Sequence, residues 1–216
     1  MTPTVLPPSA SCSWSSTLTK PTSSSSHIVH HRLDVKGWLA CPPSVEEGRP
    51  GTCPRCACAS RPTGQPLGLH GHGLRERQLR GPPEAAAAPF VTVIACRRYR
   101  CVPCQAIITV VPRGIAPRRH YGHAAIAMAL TLWALMHQST ASVRERVCAW
   151  PIAGAGARGW PTLRRWARAQ RGPESIADTL RVVAARAAQR AVGRAPPRLR
   201  GAPLWAQAFA GGSAMP

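Results

Sequence analysis

The period of apolar positions changes along this chain, and each change marks an element. Phe90-Val91-Thr92-Val93-Ile94-Ala95-Cys96 is a β-branched run that predicts a strand. Arg97-Arg98-Tyr99-Arg100 carries that strand to a cysteine pair. Ile107-Ile108-Thr109-Val110-Val111 predicts the returning strand, stopped by Pro112. Between residues 123 and 137 the pattern is apolar on nearly every face (Ile126, Met128, Leu130, Leu132, Trp133, Leu135, Met136), which predicts a helix at the centre of a small bundle. Ser142-Val143-Arg144-Glu145 has capping-box spacing and predicts a second helix that ends before Pro151. Residues 152–159 read as a Gly/Ala loop. A third helix opens at Pro161, a residue suited to a first turn. A fourth is predicted over residues 174–192, with Ile176, Leu180, Val183 and Ala187 on one stripe.

The remaining segments lack such periods. Residues 1–48 are rich in Ser, Thr and Pro and hold few large apolar side chains to offset the entropy of ordering, so they are expected to be a disordered head. Residues 67–77 read as a turn-rich stretch and residues 81–89 as a Pro/Ala loop. Residues 196–216, after Pro196-Pro197, are expected to be a disordered tail. The expected organisation is therefore a ribbon over 49–112, a helical bundle over 113–172, an amphipathic helix over 173–195 and disordered termini. The class is α+β.

Composition adds a partner. Lys and Arg total 28 against 8 acidic residues, for a net charge of +20, and only Lys20 and Lys36 are lysines. Such a charge calls for a polyanion, and nucleic acid is the commonest one. The basic excess grows toward the second half of the chain, where the binding surface is expected. No basic start followed by an apolar run opens the sequence, so no secretory leader is expected, and the expected location is cytoplasmic, on the nucleoid. The most apolar stretch, 124–136, is shorter than the roughly 20 residues that span a bilayer, so no membrane partner is expected. Nothing points to a small-molecule substrate or to an oligomeric state.

The cysteines carry the chemistry. Cys53-Pro54-Arg55-Cys56 and Cys101-Val102-Pro103-Cys104 are two CxxC pairs, and the total of nine is odd, which fits a metal better than a disulfide framework. Four thiolates can close one tetrahedral Zn²⁺ site and supply folding energy that a small module cannot obtain from its core. Cys53, Cys56, Cys101 and Cys104 are the expected ligands. Cys58, Cys96, His70 and His72 are possible substitutes, and His27, His30 and His31 form a cluster without a cysteine or acidic partner nearby. For nucleic acid, Arg164, Arg165 and Arg168 are expected to face outward from the third helix while Leu163 and Trp166 face inward. Arg97, Arg98 and Arg100 form a second basic patch, with Tyr99 either part of it or packed on the ribbon. Catalysis is not expected. No carboxylate trio for two-metal chemistry can be assembled, and residues 154–159 match a glycine-rich nucleotide loop without a preceding strand.

The residues from Cys53 to Cys56, from Arg75 to Arg80 and from Arg97 to Cys104, then Pro112, His120-Tyr121 and Thr162-Leu163-Arg164-Arg165-Trp166, resemble the zinc ribbon and helix-turn-helix at the front of bacterial insertion-sequence transposases. The resemblance covers roughly residues 50–170. It implies structural zinc and DNA binding. Two departures stand out. Ala57 and Gln105 replace the glycine usual after each knuckle, and the DDE nuclease domain of full transposases is not expected from these residues. The resemblance thus leaves three functions open: a DNA-binding relative, a transposase component that needs a separate catalytic subunit, or a zinc-ribbon protein-interaction module.

Overall fold

The computed structural model describes residues 27–116, 119–150 and 159–213. Its first element is a strand, β1 (His27–Asp34), that continues into a short helix, α1 (Val35–Ala40). Asp34 caps that helix by accepting from the Gly37 backbone N–H at 2.8 Å. The head is therefore ordered from residue 27, which corrects the expectation of disorder up to residue 48; residues 1–26 lie outside the described residues. The Ser/Pro-rich average hides a strand whose stability comes from a distant partner. β1 pairs in parallel with a strand about eighty positions later, His27 beside Ile108 and His30 beside Val111.

Three further strands complete the sheet: β2 (Leu69–Gly81), β3 (Phe90–Cys101) and β4 (Ile107–Arg113), in the order β1-β4-β3-β2. The β3–β4 hairpin has the expected place, with a cysteine pair as its turn. The stretch expected to be turn-rich is instead the long edge strand β2, antiparallel to β3 along nearly its whole length. Its glycines serve a bulge: Gly71 pairs with Tyr99 but Leu74 with Arg97, so β2 carries one extra residue there, and Gly73 sits at φ +82°.

Side chains alternate across this sheet and build two small cores. Tyr99, Cys101, Ile108 and Val110 lie on one face with Trp38, Leu69 and Cys53. Trp38 enters from α1 and donates its indole N–H to the Ala95 carbonyl at 3.0 Å. Ile94, Cys96, Val111 and Ile115 lie on the other.

The helical part holds α2 (His123–Ala134), α3 (Thr140–Val147), α4 (Pro161–Arg168), α5 (Leu180–Gly193) and α6 (Leu204–Ser213). All residues from Ala125 to Ala134 are buried, as the all-round apolar pattern requires. α3 begins three residues earlier than expected, because Ser139, not Ser142, is its cap and accepts from the Ser142 N–H at 3.1 Å. The loop expected over 152–159 lies almost entirely outside the described residues. The fourth helix starts at Leu180, capped by Thr179, after a 3-10 turn at Pro173–Ser175, and Ile176 is 73% exposed rather than on the buried stripe.

The tail is also ordered up to Ser213, which corrects the expectation of disorder there. α6 packs against α2 and α5 with Ala208 fully buried and Trp205 and Phe209 against the main core. Small residues let it in: a Cβ on Gly211 would lie 1.8 Å from the Ala191 carbonyl oxygen, and one on Gly212 would lie 2.8 Å from that of His123. Sheet and bundle are joined where β2 meets the start of α2. Arg80 N–H donates to the His120 carbonyl at 2.6 Å, and Arg77 donates to the carbonyls of Ala116 and Arg119 at 2.6 and 2.7 Å.

Candidate functional site

The two CxxC turns meet although they come from different parts of the fold. The first sits in the loop between α1 and β2, closed by a bridge between Thr52 and Ala59. The second is the tip of the β3–β4 hairpin. They share one backbone design. Ala57 N–H donates to the Cys53 carbonyl and Gln105 N–H to the Cys101 carbonyl, each at 2.9 Å. Cys53 N–H reaches the Cys58 carbonyl at 2.9 Å and Cys101 N–H the Ala106 carbonyl at 3.0 Å. The residue after each pair lies in the left-handed region, Ala57 at φ 56° and Gln105 at φ 59°. A second contact locks the turns to the strand frame: Val102 N–H donates to the Gly68 carbonyl at 2.9 Å.

The result is a cluster of the four expected cysteines, with all four Sγ atoms within 4.8 Å of one another. Cys53 and Cys104 approach to 3.6 Å, as do Cys56 and Cys101. A disulfide needs about 2.05 Å. A tetrahedron of sulfurs at about 2.3 Å from a central ion has edges of about 3.8 Å, close to what is found. Among the described residues this is the one group of His, Cys, Asp or Glu arranged to hold a metal.

The protonation balance points the same way. Burial opposes ionisation of Cys53, but backbone N–H groups of Cys56 and Arg55 and the thiols of Cys101 and Cys104 favour its thiolate, lowering it from 9.0 to about 7. Burial pushes Cys101 and Cys104 above their ordinary value. Cys53 thus ionises near neutrality while Cys101 and Cys104 resist ionisation, a state that a bound cation relieves.

The possible substitutes stand apart. Cys96 is buried on the opposite sheet face, where burial raises its thiol pKa. His70 is exposed with its Nε2 2.9 Å from the Leu67 carbonyl oxygen. His72 is exposed in the bulge of β2, and Cys58 packs beside the cluster without joining it. The histidines of β1 also gather no metal set: His31 stacks edge-on against Trp38 at 5.5 Å, and its Nδ1 accepts from the Leu33 N–H.

The two sets of arginines are placed differently. On α4, Leu163, Trp166 and Ala167 are buried while Arg164, Arg165 and Arg168 are exposed. Trp166 is held by edge-on contacts with Tyr121 at 4.9 Å and Trp160 at 5.2 Å. On β3 the patch is split by the strand's alternation. Arg97 shares a face with Tyr99 and donates from Nε to the Pro43 carbonyl at 2.5 Å, while Arg98 and Arg100 project from the other face. Tyr99 is a core residue whose hydroxyl donates to the Val45 carbonyl at 2.7 Å. No helix among the described residues is long and apolar enough to cross a membrane.

Compared with known protein families, curated proteins and solved structures, the chain matches none.

Proposed function

We propose that this chain is a DNA-binding protein whose four-cysteine centre holds a structural Zn²⁺. Four thiolates and no water position make a closed site, the arrangement of a staple rather than of a catalytic metal. Zinc suits that donor set, and its role is to join the loop at Cys53 to the hairpin tip at Cys101. Two of the segments that resemble transposase zinc ribbons, Cys53–Cys56 and Arg97–Cys104, meet at this joint.

The observation that carries the DNA reading is the orientation of α4. Leu163 and Trp166 hold it on the bundle and leave Arg164, Arg165 and Arg168 turned to solvent. Arginines near the start of such a helix can grip phosphate or read guanine edges. The stretch from Val147 at the end of α3 to Pro161 at the start of α4 is longer than the three- or four-residue turn of an ordinary helix-turn-helix and includes residues outside the described ones, so the DNA reading rests on α4 and not on that motif. Among the described residues, ion pairs tie Lys36, Arg49, Arg61 and Arg186 to carboxylates, and Arg164 and Arg168 are not among them.

The test is filter binding of the zinc-loaded protein to duplex DNA over a salt series. A linear fall of log affinity with log salt, with a slope of several units, is expected from arginine–phosphate contacts. Absence of binding at low salt would refute the reading and favour a protein-interaction module.

A further inference from the structure

On the sheet face opposite Tyr99, no ion pair among the described residues ties Arg75, Arg98 or Arg100 to a carboxylate. Strand register places them. Arg98 alternates with Tyr99 and lies beside Thr109 of β4, which in turn pairs with Ile28 of β1. Arg100 is two positions along the same strand, beside Ile107, with His70 across from it on β2. Two positions the other way, Cys96 pairs with Arg75. Side chains two apart share a face, so Arg75, Arg98 and Arg100 crowd one side of adjacent strands. Glu76, the one carboxylate on β2, alternates to the opposite side. Like charges gathered in this way repel one another and favour an anion among them.

The bulge sits at this spot. The extra residue of β2 falls opposite Arg98, between the pairs Gly71–Tyr99 and Leu74–Arg97. A Cβ on Gly73 would stand 3.8 Å from Arg98 Nη2, so the bulge sets the bare backbone of Gly73 beside that end of the guanidinium. The Nε–H on the same edge is covered and has no hydrogen-bond partner among the described residues. Nε–H and Nη2–H form the edge with which arginine holds an oxyanion through two parallel bonds. Arg97 and Arg77 lack this freedom, being bound to the carbonyls of Pro43 and of Ala116 and Arg119.

We propose that the bulged face of the sheet is an oxyanion site, centred on Arg98 and flanked by Arg75 and Arg100, that takes a backbone phosphate of nucleic acid. The choice of phosphodiester rests on the DNA reading above. The site adds a second contact region, on the sheet, to the one on α4, and it assigns Arg75 a role while removing Arg97 from the binding set.

Two measurements test it on the full zinc-loaded chain. In the first, duplex DNA binding is followed over a salt series for Arg98→Gln, Arg75→Gln and a charge control, Arg61→Gln, whose guanidinium is already paired with Glu46. Each of the first two is expected to make the salt slope shallower by about 0.9, one phosphate contact, and the control to leave it unchanged. Arg75 is exposed, so its variant reads the site even if Arg98→Gln folds poorly. In the second, inorganic phosphate is titrated against the ¹H–¹⁵N signal of the Arg98 Nε–H, assigned by its loss in Arg98→Lys, with sodium chloride at equal ionic strength as reference. A saturable shift with phosphate alone is expected. Wild-type slopes in both glutamine variants would overturn the phosphodiester assignment while leaving DNA binding intact. If the wild-type chain binds no DNA, a phosphate-specific shift keeps the oxyanion site and retires the nucleic-acid reading, and no shift overturns both.

Discussion

Ala57 and Gln105 occupy the same backbone conformation, at φ 56° and 59°, each directly after the second cysteine of a pair. Left-handed backbone costs a residue with a Cβ about 1–2 kcal/mol, and glycine avoids that cost while losing about 0.5–1 kcal/mol of chain entropy. The two turns keep the strain because the backbone bonds to Cys53 and Cys101 require that conformation. Ala57→Gly is therefore expected to stabilise the zinc-loaded protein by up to about 1 kcal/mol, read as a higher denaturation midpoint. Gln105→Gly should gain less, because it also loses the Gln105 side-chain bond to the Val102 carbonyl. A fall in the midpoint for Ala57→Gly would mean that the turn is not strained.

The cluster links two loops that come from separate parts of the chain, so metal and fold should be lost together. One Zn²⁺ per chain is expected by elemental analysis. Cys53→Ser or Cys101→Ser should abolish it and broaden the amide spectrum of residues 41–113, because metal binding free energy is folding free energy here. Cys58→Ser, outside the four, should retain full metal. A full complement of zinc in Cys101→Ser would disprove the ligand set.

Some of this architecture is legible in the residues alone and some is not, for physical reasons. Ligand spacing is local chemistry, so CxxC turns announce themselves wherever they occur. The side of α4 that is buried follows from a three-residue apolar spacing, which Leu163 and Trp166 display. β1 stays hidden because its strand character depends on a partner, β4, far along the chain, and because its own surroundings are Ser- and Pro-rich. β2 reads as turns because Gly71 and Gly73 are turn residues; here they make a bulge inside a strand. α6 escapes notice because its apolar stripe is short, Trp205, Ala208 and Phe209, and because Gly211 and Gly212 pack through bare backbone, which no apolar period marks.

That last point can be checked directly. Gly211→Val would drive a side chain into the Ala191 carbonyl, where a Cβ alone would stand at 1.8 Å. The helix must move away, exposing Trp205, Phe209 and Ala208. A loss of about 2–4 kcal/mol in unfolding free energy is expected, as for other overpacked core positions at the severe end. Gly193→Ala is the matched control, with nothing within 4 Å of its added Cβ. It should be neutral or slightly stabilising. Equal stability of Gly211→Val and wild type would show that α6 does not dock on α5.

Acid should weaken the junction of β1 with the sheet. Burial, with help from the Arg77 charge, lowers the His30 pKa below its ordinary 6.5. The unfolded chain therefore takes up the His30 proton at a higher pH than the folded one, so stability is full above about pH 6.5 and falls as pH drops through the folded value. His30→Gln should remove that part of the acid sensitivity. Thermal melts of zinc-loaded protein between about pH 7.5 and 5.5, a window that brackets the ordinary histidine value, test this. Parallel curves for variant and wild type would show that His30 titrates as it does in the unfolded chain.

The functional surface on α4 separates into two effects that substitutions can split. Arg164 and Arg165 are exposed, and Arg165 makes a local bond to the Thr162 hydroxyl at 3.0 Å. Replacing both with Ala should change stability by no more than about 0.5 kcal/mol each. The same change should weaken DNA binding and flatten the salt slope by about 0.9 for each phosphate that an arginine no longer neutralises. Trp166 is 3% exposed and stands edge-on to both Tyr121 and Trp160. Trp166→Ala should destabilise the bundle by about 3–5 kcal/mol, since it opens a cavity and removes two aromatic contacts. DNA binding by that variant should recover at low temperature, where the remaining fold persists, because the arginines themselves are untouched. Unchanged affinity and slope in the double-arginine variant would remove α4 from the binding surface. A Trp166→Ala protein as stable as wild type would mean that the helix is held by something other than this aromatic cluster.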